Sequence, residues 1–176
     1  MHTTGDGALL NRSGDNNVWE YNLVHDADVG IDQFIGNGTV FRGNVIYNVK
    51  YLGRVKNEGE GSTNVTFENN TFYHSTAWAG FIWDTSFTGP ISNVVWQQNI
   101  FEDVHGTSIY SNAQLDPLWD EYGNVFFNAP RPTGTTGALT GSSVTLDPRL
   151  ADPPTDFTVL EPAAAGKGAP WPLPCP

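Results

Sequence analysis

The chain has 176 residues, a formal net charge of −11 and only 8 Lys plus Arg. That balance excludes a nucleic-acid backbone as partner, which demands clustered cations, and it gives no attraction to anionic membranes. With 19 Gly, 12 Pro and 39% hydrophobic residues, the composition favours short strands between many turns over long helices.

At the N-terminus, Met1-His-Thr-Thr-Gly-Asp-Gly lacks the character of a secretory signal, and no later apolar stretch approaches membrane-spanning length. The lone cysteine, Cys175, allows no intrachain disulfide. A first strand is expected over residues 7–13. After it, one pattern recurs: Trp19-Glu-Tyr-Asn-Leu-Val24, Phe41-Arg-Gly-Asn-Val-Ile46, Phe67-Glu-Asn-Asn-Thr-Phe72, Trp96-Gln-Gln-Asn-Ile-Phe101 and Glu121-Tyr-Gly-Asn-Val-Phe126. Its asparagines, Asn22, Asn44, Asn70, Asn99 and Asn124, stand 22, 26, 29 and 25 residues apart, the signature of a stacked repeat. An aromatic residue precedes each Asn by three, except at Glu121, and an apolar one follows it by two. Two apolar columns around a polar corner describe a strand, a tight turn and a second strand. Stacking buries the columns and lets the Asn amides hydrogen-bond from coil to coil. Asn70 is therefore expected inside and Asn69 outside.

The stack is expected to divide into coils over residues 16–36, 37–61, 62–90, 91–117 and 118–150, about five to six coils in one domain of residues 1–160. The first four coils close with a third strand: Gly30-Ile-Asp-Gln-Phe34, Leu52-Gly-Arg-Val-Lys56, Gly80-Phe-Ile-Trp-Asp84 and Thr107-Ser-Ile-Tyr-Ser111. Residues 144–160 are expected to cover the C-terminal end. Residues 161–176, rich in Pro, Ala and Gly, are expected to pack loosely or to be disordered. Nothing before Asn17 can form a helical cap. Either the chain is a piece of a longer β-helix or its first coil meets a second copy; the second is expected, burying Ala8, Leu10 and Trp19 in a homodimer.

Three like-directed strands per coil, the strand-Asn-strand motif and the ending Leu146-Asp-Pro-Arg-Leu150 with Asp156-Phe-Thr-Val-Leu160 resemble the pectate-lyase-like superfamily. The resemblance covers residues 7–160. It implies an all-β fold, a right-handed parallel β-helix solenoid with an Asn ladder. It also implies a bacterial, extracellular or cell-surface protein that meets a polysaccharide or oligosaccharide on the outer face of the third-strand sheet.

Counting outward positions on those strands gives Asp32, Gly53 or Arg54, Lys56, Asp84, and Ser108 with Tyr110. Stacking sets Arg54 and Lys56 between the two aspartates. The plain reading is a salt ladder, and a register slip of one residue would turn the set inward. A catalytic reading makes Lys56 or Arg54 the base of a polysaccharide lyase acting on an acidic polysaccharide. Ca²⁺ would then be held by Asp32, Glu58 and Glu60, with Asp84 as a further carboxylate. Alternatively, Asp32 and Asp84 lie two coils apart, about 9–10 Å, near the spacing of an inverting glycoside hydrolase. Trp78, Trp83 and Tyr110 could stack on sugar rings, a binding role that needs no catalysis and leaves a glycan-binding or structural module as the competing class. Arg54-Val-Lys56 and His105-Gly-Thr-Ser-Ile109 resemble pieces of the polygalacturonase signature, but in reverse order and without its paired aspartates.

Two further groups have plain readings. Glu20, Arg42, Glu68, Gln97 and Tyr122 form an outward column whose first three members alternate in charge, stabilising by about 0.2–1 kcal/mol per pair. His25, His74 and His105 fall in or beside the turn after the second strand, where Asp and His collect for conformational reasons.

Overall fold

The computed structural model describes residues 7–77, 79–84, 89–111, 119–130 and 142–174. Within them the chain is all-β apart from one short 3-10 turn, Pro162–Ala164. Three parallel sheets stack coil on coil. The first holds Gly7–Asn11, Val29–Gln33, Tyr51–Lys56, Ala79–Asp84 and Thr107–Ser111. The second holds Val18–Glu20, Val40–Arg42, Ser62–Glu68, Ile91–Gln97 and Trp119–Tyr122. The third holds Leu23–His25, Val45–Val49, Thr71–Ser75, Ile100–Val104, Val125–Phe127 and Val144–Thr145.

The five strands of the first sheet bound about four full turns, fewer than the five to six coils expected. The stretch after Pro130 that would complete another turn lies outside the described residues.

The apolar columns are where the repeat puts them. Phe41, Phe67 and Trp96 stack with centroids 5.1 and 4.0 Å apart. Phe72, Phe101 and Phe126 stack at 4.9 and 5.2 Å. Phe81 of the first sheet meets Phe67 and Trp96 edge-on, which joins the columns into one core.

Between the columns, each of Asn22, Asn44, Asn70 and Asn99 donates its backbone N–H and its amide to Oδ1 of the next Asn, at 2.8–3.0 Å. The other amide hydrogen of Asn44, Asn70, Asn99 and Asn124 goes to the carbonyl of Trp19, Phe41, Phe67 and Trp96, at 2.9 Å.

The turns are columns too. One step before each of these asparagines, Tyr21, Gly43, Asn69, Gln98 and Gly123 all adopt left-handed φ. Four steps after, so do Asp26, Asn48, His74, Asp103 and Asn128; six before, so do Asn16, Gly38, Asn64 and Asn93. Left-handed backbone costs a non-Gly residue roughly 1–2 kcal/mol. That cost explains why Gly, Asn and Asp dominate these positions, and why the stack repeats the conformation at each rung once neighbouring coils bond to it.

The C-terminal segment departs from expectation. Only Val144–Thr145 extends the stack. Residues 146–174 then run as a strap over the outer face of the third sheet instead of covering its end. The strap begins with the antiparallel hairpin Leu150–Asp152 and Asp156–Val159. Phe157 is fully buried against Tyr47, Tyr73 and Trp171 at 5.5, 5.7 and 5.2 Å. Nor is the tail loose. Ala164 packs on Ile100 and Val125, Ala169 N–H donates to Thr71 Oγ1 at 3.0 Å, and Gly168 N–H donates to the Gln98 carbonyl at 2.8 Å. The small residues make this close approach feasible, because a Cβ on Gly168 would stand 2.7 Å from Ile100 and Thr71.

Candidate functional site

On the first sheet, Ile31, Phe81 and Ile109 point into the core, and the Phe81 ring fills the space a Gly53 side chain would need. Alternation turns Asp32, Arg54 and Tyr110 outward, in register with Leu10 and Ile82. Of the expected set, Arg54 and Asp32 meet, as an ion pair across neighbouring coils. Its burial was not expected. The Asp32 side chain has no exposed surface, and the Arg54 side chain retains 22%.

The adjacent column is Arg12, Phe34, Lys56. Lys56 Nζ lies 3.8 Å from the Phe34 ring centroid, and Arg12 Cζ approaches the same ring to 4.9 Å from the preceding coil. Cations over a desolvated ring gain on the order of 2 kcal/mol. Lys56 is only 9% exposed.

Asp84 sits in register with Lys56, and Trp83 with Val55; the side chains of both lie outside the described part of the structure, as does Trp78 entirely. Tyr110 is half-buried. Glu58 and Glu60 occupy the turn after the Lys56 strand, and among the described residues no group of three or more His, Cys, Asp or Glu could hold a metal. Ser108, expected outward, is buried and donates to the Pro130 carbonyl at 2.5 Å. Its row begins at the corner with the third sheet, where Leu52 joins the core.

The outward charge column holds as expected: Arg42 Nε donates to Glu20 at 2.6 Å, Gln97 to Glu68 at 2.7 Å, and Tyr122 to Gln97. His25 and His74 lie in third-sheet strands, at or next to their ends, and His105 lies just past one. His74 pairs with Asp103 at 2.7 Å and His25 with Asp26 at 2.8 Å, within or beside the left-handed column. His74, Asp103 and His105 line an open cleft of about 630 Å³.

Two features were not read from the sequence. The strap and the corner between the second and third sheets enclose a cleft of about 380 Å³, with Tyr21 and Trp171 in its walls and Arg42, Glu68 and Lys167 in its lining. On the third sheet, Glu102 is half-buried beside Asp103 and the strap's Asp147. Burial first, then those two charges, pushes its carboxyl up to about 7, and its Oε2 is buried without a hydrogen-bond partner. The sequence signal for them was an apolar residue directly after most of the asparagines. Val45, Ile100 and Val125 are fully buried although they face out of the stack.

Compared with protein-family models, curated proteins and solved structures, the chain matches none.

Proposed function

We propose that this protein is a saccharide-binding β-helix of the pectate-lyase-like kind, meeting a polysaccharide on the outer face of its first sheet. The observation that carries the reading is a pair of fixed cationic side chains on that face, Arg54 held by Asp32 and Lys56 held on Phe34, with half-buried Tyr110 two coils beyond Arg54. Side chains already fixed lose little entropy on binding. The same fixing weighs against catalysis, because a general base must reach the proton it removes and Lys56 is almost wholly covered. Asp32, equally covered, is poorly suited to hold Ca²⁺ or to activate a water as a glycosidase carboxylate.

A second reading, β-elimination on an acidic polysaccharide, is favoured by Arg54 and Lys56 standing two residues apart on one face, where one cation could neutralise a uronate and the other take the proton. One panel of acidic and neutral polysaccharides, with and without Ca²⁺, separates the two. Binding is read by retention in polysaccharide-containing gels and elimination by the ultraviolet absorbance of unsaturated products. Binding without absorbance supports the first reading. Absorbance that Lys56→Ala abolishes supports the second.

An extracellular setting belongs to the same reading. So does a homodimer through the first coil, where Val18 and Leu23 are exposed and, among the described residues, nothing donates to Asn22 Oδ1. A monomer in light scattering at high micromolar concentration would exclude the dimer.

A further inference from the structure

We propose that the cleft beneath the strap is a second binding site, separate from the first-sheet face, for the end of a neutral saccharide. The proposal rests on the saccharide reading above and concerns different residues. No first-sheet residue lines the cleft, and its volume of about 380 Å³ falls within the range of small-molecule pockets, roughly 300–1,000 Å³.

Its two aromatic walls are held in place yet open. Tyr21 is 39% exposed and lies against Gly43, where a Cβ would come within 2.7 Å of its ring. Trp171, on the strap, is half-buried and anchored edge-on to Phe157 at 5.2 Å. A pyranose presents apolar C–H faces, which cover aromatic rings, and peripheral hydroxyls, which need donors and acceptors around the ring.

The lining supplies both. Arg42 engages Glu20 through Nε, which leaves its terminal nitrogens as donors, and Glu68 accepts from Gln97 through Oε2, which leaves Oε1 as an acceptor. Thr158, on the hairpin strand of the strap, adds a hydroxyl.

The charge pattern selects a neutral ligand. Arg42 and Lys167 are offset by Glu68 in the cleft and Glu20 beside it, while the −11 net charge repels polyanions at long range.

The test is isothermal titration calorimetry of the full chain with neutral gluco-, xylo-, manno- and galacto-oligosaccharides, and in parallel with oligouronates. The expected result is saturable binding of at least one neutral series. Tyr21→Asn, which removes the ring but tolerates the left-handed backbone, should weaken that binding about tenfold or more. Glu68→Gln should weaken it too, and Tyr21→Phe should retain it. Parent-like binding by both Tyr21→Asn and Glu68→Gln overturns the site and leaves the saccharide reading standing. Binding of oligouronates alone overturns the neutral class, and binding of neither series overturns both proposals.

Discussion

Asn124 donates its side-chain amide to Glu121 Oε1, 3.0 Å away in its own coil, where every earlier Asn of the column donates to the next coil's Asn. Its backbone N–H goes to Ser143 Oγ at 2.9 Å. Glu121 and Ser143 together replace the missing next Asn and close the amide column. The single break in the apolar pattern is thus its terminator.

Glu121→Leu, which restores the apolar pattern, should therefore destabilise. Glu121 is buried, so the change orphans a buried amide at a cost of about 1–3 kcal/mol. Glu121→Gln keeps the acceptor and should cost clearly less. Urea unfolding followed by circular dichroism checks both; a more stable Leu variant would contradict the terminator role.

Asn70→Ala should cost at least about 1–3 kcal/mol by orphaning mid-column groups. Asn69→Ala, which the sequence marks as harmless, should not be neutral. Asn69 has left-handed φ and donates to the strap's Gly166 carbonyl at 2.8 Å. Asn69→Gly keeps the conformation and loses only the strap bond, so it should fall between parent and Ala in thermal melting.

Glu102 makes stability depend on pH. Its folded pKa of about 7 lies above the ordinary value of 4.5, so the folded state holds its proton more tightly than the unfolded one. The stabilisation is fully present below about 4.5 and is lost as pH rises through about 7. Melting temperature should fall between pH 5 and pH 8, and Glu102→Gln should flatten that part of the curve. A parent curve that rises over this window would contradict the assignment.

Gly53→Ala would place a Cβ 2.1 Å from the Phe81 ring. Overpacking of this kind costs about 1–3 kcal/mol, and Phe81→Leu in the same chain should recover part of it. Equilibrium unfolding of the single and double variants measures the recovery; additive losses would mean the ring is not what fills the space.

The stack was legible because its rungs repeat: Asn spacing, aromatic columns and turn residues each state one conformation several times. The ion pair of Arg54 with Asp32 followed from the same stacking. The burial of Lys56 on Phe34 did not, because charge pairing set Lys56 beside the aspartates, whereas its Nζ lies over the aromatic ring of the preceding coil. The strap was invisible for a different reason. Residues 161–174 have no period, and their bonds reach partners such as Asn69 from 97 positions away. Buried Val45 and Val125 carried the only trace of it.

The first-sheet face is tested most directly by the polysaccharide-binding isotherm of Tyr110→Ala against the parent, with circular dichroism verifying an intact fold. The account predicts saturable binding by the parent and affinity about tenfold weaker in the variant. Equal affinity of the two proteins for the same polysaccharide would contradict it.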